Sequence, residues 1–130
     1  TLFPYTTLFR SCIEVIDALA RLGTREITLI GGEVYLRRDW TELVREIRAR
    51  DIRCTAQTGA RNLSPARLDA AVAAGLQGVG VSLDGLAPLH DELRGVPGAH
   101  ARALDALRRL WRCRGGGCRS RNRGETRASR

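Results

Sequence analysis

Three short runs in this chain, 26–30, 53–58 and 78–83, each read as a β-strand that ends in glycine beside polar side chains, and amphipathic helical stretches separate them. The first continues as Ile27-Thr28-Leu29-Ile30-Gly31-Gly32-Glu33, a β-branched stretch that stops abruptly at two glycines and a carboxylate. That is the pattern of a buried parallel strand opening into a site. Glycine lets a ligand approach the backbone closely. Glu33 places one negative charge at the rim, where it can accept hydrogen bonds from an ammonium group. The other runs end in Gln57-Thr58-Gly59 and Ser82-Leu83-Asp84-Gly85. Strands alternating with helices imply an α/β fold, a parallel sheet or barrel with helices outside. Ligand sites in such folds lie at the carboxyl ends of the strands.

The helical stretches have their own signals. Cys12, Val15, Ile16, Leu19 and Leu22 form one apolar face, stopped at Gly23. Asp39 is expected to cap the next helix, with Glu42 completing a capping box, and that helix buries Leu43, Val44 and Ile47. Ser64-Pro65 reads as the cap and first residue of a third helix running through Leu68, Ala71 and Val72 to Gly75. A polar loop is expected to hold His90, Asp91, Arg94, Gly95 and Gly98, and a last helix to start near Ala99. Cys54, in mid-strand, reads as buried and inert.

With 130 residues the chain can form one domain with a modest core. All 22 residues counted as Lys or Arg are Arg, and the net charge of +8 is unevenly placed. The stretch from Trp111 to Arg130 holds seven Arg and one Glu, whereas residues 1–110 hold fifteen Arg against thirteen acids. Nucleic-acid binding would therefore rest on the tail alone, and the balanced body argues against it. The cysteines at 12, 54, 113 and 118 form no CxxC pair and no zinc spacing. No apolar run is long enough to span a membrane, and no signal-peptide layout is present, so no membrane partner and a cytoplasmic setting are expected. Residues 1–11 resemble the translation of a sequencing-library adapter and are set aside from fold reasoning. Apolar periodicity persists through Leu104, Leu107 and Leu110 and then stops. The expected division is thus an adapter-like segment 1–11, a core 12–110 and a disordered or frameshifted basic tail 111–130.

Three segments in this order and spacing carry a resemblance. They are Leu29-Ile30-Gly31-Gly32-Glu33-Val34-Tyr35-Leu36-Arg37, Val81-Ser82-Leu83-Asp84-Gly85 and His90-Asp91-Glu92-Leu93-Arg94-Gly95-Val96-Pro97-Gly98. Together they resemble the radical S-adenosylmethionine (SAM) enzymes, nearest to members that modify peptides and carry a C-terminal SPASM-type or related cluster domain. The likeness implies a six-stranded partial α/β barrel, of which residues 12–110 would supply the second, third and fourth strands. It implies that Gly31, Gly32 and Glu33 meet the methionyl amino group of SAM. Ser82 and Asp84 would lie on the segment facing the cofactor, and Arg94 would sit where it could pair with the methionyl carboxylate. Arg94 is left open between that contact and a structural ion pair, while His90 and Asp91 read as loop-shaping residues. Gln57-Thr58-Gly59 falls where many members have Thr-Asn-Gly.

The resemblance also implies a [4Fe–4S] cluster held by three Cys in a CxxxCxxC loop, an external electron donor, and a peptide or other bulky substrate. SAM would be cleaved to methionine and a 5′-deoxyadenosyl radical. No such loop occurs in the sequence, and Cys12, on an apolar helix face, is not read as a ligand. The chain is expected to be an internal piece of the SAM-binding barrel without turnover of its own. Another parallel α/β enzyme would need a phosphate-binding glycine loop or a metal-ligand set, and neither is visible. The other alternative is a non-catalytic α/β binding module with a basic nucleic-acid-binding tail. Its binding would be salt-sensitive and lost on removing residues 111–130.

Overall fold

Parallel strands need a crossover of a dozen or more residues between them, and each gap between the β runs holds a helix of suitable length. The computed structural model describes residues 7–114. Along the chain lie α1 (Thr7–Arg21), β1 (Glu26–Leu29), a 3₁₀ turn (Val34–Leu36), α2 (Trp40–Ala49), β2 (Arg53–Thr58), α3 (Pro65–Ala74), β3 (Gly78–Val81), α4 (Ala87–Arg94) and α5 (Ala99–Arg114). The strands form one sheet in the order β1-β2-β3, with both pairings parallel. Thr28 lies beside Thr55, and Gln57 beside Gly80. The α/β class and the parallel order are as expected.

β2 is the central strand and alternates cleanly, with Cys54, Ala56 and Thr58 buried and Arg53 and Gln57 exposed. α2 packs on the buried side through Trp40, Leu43, Val44 and Ile47, the i, i+3, i+4, i+7 stripe of an amphipathic helix. Each such fully buried apolar side chain stabilises the fold by about 1.5–3 kcal/mol. The start of α3 also follows its sequence signal: Ser64 Oγ accepts the Arg67 N–H at 3.3 Å, and Pro65 occupies the first turn. A small second cluster, Ala60 with Ala103 and Ala106, seats α5 against Val81 at the end of β3.

Several elements depart from expectation. α1 begins at Thr7, so Thr7–Ser11, set aside above, form its first turns, and Phe9 is buried with Ile16. The inward stripe is Phe9, Ile13, Ile16 and Ala20, which rotates Val15 and Leu22 out to 58% and 82% exposure. β1 ends one residue early and lies at the sheet edge. Its burial alternates, and Ile30 is exposed instead of buried. β3 stops at Val81, leaving Ser82–Asp84 in the following loop. Val72 faces solvent on α3, where Leu68, Ala71 and Ala74 point inward.

The capping box at Asp39 does not form. Its carboxylate is bound by the Arg37 guanidinium, through Nε and through Nη2 at 2.9 Å, and Glu42 instead meets Thr41 and Arg45. A charge-assisted fork two residues upstream outcompetes a backbone N–H for that acceptor. The expected polar loop contains α4, which has Pro88 in its first turn and ends at Gly95 with φ 64°. The buried residue of α4 is His90, so no apolar stripe announces the helix. α5 runs past Leu110 to Arg114, and the rest of the tail, with residues 1–6, lies outside the described residues.

Candidate functional site

Because all three strands are parallel, their carboxyl ends share one edge of the sheet, and the loops after β1, β2 and β3 meet there. Gly31 and Gly32 have φ of 94° and 54°. An L side chain in that region costs about 1–2 kcal/mol per residue, so the pair turns the chain sharply where other residues would resist. The turn brings Glu33 over the end of β2.

Glu33 anchors the loop after β2 through three of its lone-pair sites. Its Oε2 accepts the Thr58 hydroxyl, and its Oε1 accepts the N–H groups of Gly59 at 3.1 Å and Arg61 at 3.3 Å. These bonds hold a loop in which Ala60 and Asn62 adopt left-handed φ of 63° and 57°. Thr58 Oγ1 also receives the Ala60 N–H at 2.9 Å and lies 3.1 Å from the Tyr35 hydroxyl. Tyr35 in turn donates to the Arg61 carbonyl at 2.5 Å, and the Arg67 guanidinium sits over its ring. Burial pushes the Tyr35 phenol above its ordinary value, so it acts as a neutral donor. No sequence signal marks these roles of Tyr35 and the Arg61 backbone; a hydrophobic-looking 3₁₀ turn gives no sign of a hydroxyl aimed at the next loop.

The end of β3 is organised by α4. Arg94 grips Asp84 with two bonds, Nε to Oδ2 at 2.6 Å and Nη2 to Oδ1 at 3.1 Å. The question left open for Arg94 thus has a structural ion pair as part of its answer. The Asp84 N–H donates to Nδ1 of His90, which is wholly buried. Asp91 accepts the N–H groups of Gly98 at 2.7 Å and His100 at 2.8 Å, ahead of and within the first turn of α5. These bonds hold its carboxyl below the usual range. His90 and Asp91 therefore shape this region, as the sequence suggested. Ser82 is exposed, and its N–H donates to the Thr58 carbonyl at 2.9 Å.

A cavity of ≈ 290 Å³ opens between the β2 and β3 ends, lined among others by Glu33, Gly59, Arg61, Arg94, Val96 and Arg102. Of the residues expected at the site, Glu33 and Arg94 line it. Gly31, Gly32, Ser82 and Asp84 lie outside its lining, Asp84 entering through its pair with Arg94. A Cβ on Gly59 would stand 3.2 Å from Glu33 Oε1 and 3.7 Å from Arg94 Nη1, so glycine keeps this corner open. A carboxylate has about four lone-pair sites, and Glu33 uses three. Arg94 Nη1 makes no hydrogen bond among the described residues. One spare acceptor and one spare cationic donor facing a common space match the ammonium and carboxylate of an α-amino acid.

A metal cluster does not fit the described residues. No group of three or more His, Cys, Asp or Glu is placed among them to hold a metal ion. Cys54 is sealed in β2, where burial pushes its thiol up to about 11, and Cys12 packs at the flank of the core. Among the described residues no helix is long and apolar enough to cross a membrane.

A family model for the radical SAM superfamily matches residues 3–113. The chain is 38% identical over 96 residues to a PqqA peptide cyclase of Rhodopseudomonas palustris, covering 73% of this chain and 26% of that protein. It is 37% identical over 93 residues to an AdoMet-dependent heme synthase of Methanosarcina barkeri, with 71% and 27% covered. A GTP 3',8-cyclase of Marinobacter nauticus is 42% identical over 78 residues, with 57% and 24% covered. The chain spans about a quarter of the length of these relatives.

Proposed function

The chain belongs to the radical SAM superfamily, and on that premise we propose that it is the SAM-binding part of an enzyme that reductively cleaves SAM to a 5′-deoxyadenosyl radical for peptide modification. The observation that carries the binding half is the cavity shared by Glu33 and Arg94. The methionyl end of SAM is an α-amino acid. Its ammonium fits beside the free lone pair of Glu33, and its carboxylate fits beside Arg94 Nη1. Gly31 and Gly32 supply the turn that delivers Glu33, Asp84 fixes the angle of the Arg94 guanidinium, and Ser82 offers an exposed hydroxyl on the same edge. PqqA peptide cyclases stand among the similar proteins beside heme synthases, and the peptide substrate is our reading of that set. The SPASM-type assignment, the external electron donor and a cytoplasmic setting belong to the same reading.

In this reading the [4Fe–4S] cluster supplies the electron for SAM cleavage, and its ligands come from a CxxxCxxC loop absent from these 130 residues. The chain is then an internal piece of the barrel. Its own share is to bind and orient the methionyl group. Sequencing the native locus across residue 11 is expected to reveal the cysteine loop shortly before Cys12. An uninterrupted native frame without it would contradict the fragment reading and the adapter origin of residues 1–11.

Equilibrium titration of the 130-residue chain tests the binding claim. SAM is expected to bind more tightly than 5′-methylthioadenosine, which lacks the amino-acid end. Glu33→Gln and Arg94→Ala should each weaken SAM by about 10- to 100-fold, the worth of one hydrogen bond to a charged group, and leave methylthioadenosine unchanged. Equal affinity for the two ligands, or folded variants that bind SAM as the parent does, would sink the proposal.

A further inference from the structure

We propose that His90 is a positioning residue for the SAM site: its Nδ1 accepts the Asp84 N–H and so fixes where the Asp84–Arg94 pair stands relative to Glu33 and Gly59. The inference rests on the reading that Arg94 meets the methionyl carboxylate.

His90 is wholly buried and lies four residues, about one helical turn, before Arg94 on α4. Its Nδ1 stands 3.1 Å from the Asp84 nitrogen and 3.7 Å from Asp84 Oδ2. An Nδ1 that accepts an N–H carries no proton, which assigns the ring proton to Nε2. One imidazole thus ties the loop after β3 to the helix that carries Arg94. Both ends of the Asp84–Arg94 pair are joined to it, Asp84 through its backbone and Arg94 through the helix. The neighbouring Asp91 ties the same helix to the start of α5 through Gly98 and His100.

The other side of the ring argues against mere space-filling. His90 Nε2 is buried and has no hydrogen-bond partner among the described residues. Its aromatic neighbour is the His100 ring, edge-on at 5.9 Å. An unpaired buried N–H costs free energy that a phenyl ring would not incur. What the imidazole supplies and a hydrocarbon ring lacks is the Nδ1 acceptor. Asp84 stands on one side of the ring and His100 on the other, so its effect reaches the cavity through the Asp84–Arg94 ion pair.

Two substitutions in the 130-residue chain separate position from packing. His90→Asn places an amide oxygen near the Nδ1 position and leaves a void; His90→Phe fills the slot and removes the acceptor. The readouts are the Asp84 N–H and Arg94 Nε–H resonances without ligand, SAM affinity, and Tm. H90N is expected to lower Tm yet keep both resonances and hold SAM affinity within about threefold. H90F is expected to move both resonances and to weaken SAM by about tenfold, the loss of a charged contact's alignment. A folded H90N that loses SAM binding, or an H90F with unmoved resonances, would overturn the proposal. So would affinity that simply tracks Tm in both variants. If the parent chain binds no SAM, the binding reading fails by itself, and the ligand-free resonances still decide the role of His90.

Discussion

Replacing Glu33 with Ala should release the loop after β2. In the structure the carboxylate accepts the Thr58 hydroxyl and the N–H groups of Gly59 and Arg61. A hydrogen bond to a charged group contributes about 1.5–3 kcal/mol, but these three do not add in full. The Arg61 N–H is long at 3.3 Å and exposed, so water can take it over. The Thr58 hydroxyl is buried beside Tyr35 and Ala60, and with the carboxylate gone it is left a neutral acceptor, the Tyr35 oxygen, in place of a charged one. The released loop also loses what holds Ala60 in a left-handed conformation that is unfavourable by about 1–2 kcal/mol. We expect Glu33→Ala to destabilise the chain by about 2–3 kcal/mol. Glu33→Gln keeps one carbonyl oxygen and should lose about 1 kcal/mol. In urea titrations the midpoint should fall with an unchanged slope, since the surface exposed on unfolding is the same. A Glu33→Ala chain within about 0.5 kcal/mol of the parent would mean that the carboxylate does not anchor the loop.

Val44 is wholly buried on α2 and Val72 is 48% exposed on α3; Val44→Ala should cost about 2 kcal/mol through lost burial and a residual cavity, and Val72→Ala less than about 0.5 kcal/mol, both read from denaturant midpoints. Asp91 is held below the ordinary carboxyl value by the His100 and Gly98 N–H groups. Its stabilisation is therefore present above the unfolded value and lost as pH falls through the lowered folded one. Asp91→Asn should flatten that acid-side part of a Tm-versus-pH curve, and an unchanged slope would refute the assignment. Burial raises the Cys54 thiol to about 11 and removes it from solvent, so peptide mapping after brief iodoacetamide treatment should find Cys12 alkylated and Cys54 protected until the chain is unfolded.

What the sequence revealed follows from where local signals and tertiary packing agree. The bounds of β2, the buried stripe of α2, the Ser64 cap and the start of α5 at Ala99 are local patterns that packing did not override. α4 was missed because its buried side chain is a histidine, so its periodicity is polar. The Asp39 capping box failed because Arg37 competes for the same carboxylate. The inward face of α1 differs from its apolar sequence pattern because Phe9, within the adapter-like segment, anchors the stripe. At the site, the glycines and acids marked by the sequence lie at the carboxyl ends of the strands, and Glu33 and Arg94 line one cavity there. The Glu33 anchoring of 59–61, the Tyr35 hydroxyl and the presence of Arg61 and Arg102 in the cavity lining depend on contacts between residues about 25 or more positions apart, or on residues that no motif marks.

The most direct test is a titration of SAM into the ¹⁵N-labelled chain, followed residue by residue. The account predicts that the amides of Glu33, Gly59, Arg61 and Asp84 and the Arg94 side-chain N–H signals move together with one dissociation constant, while those of α2 stay fixed. Shifts centred elsewhere, or none at ligand concentrations that saturate the methionyl site, would contradict it.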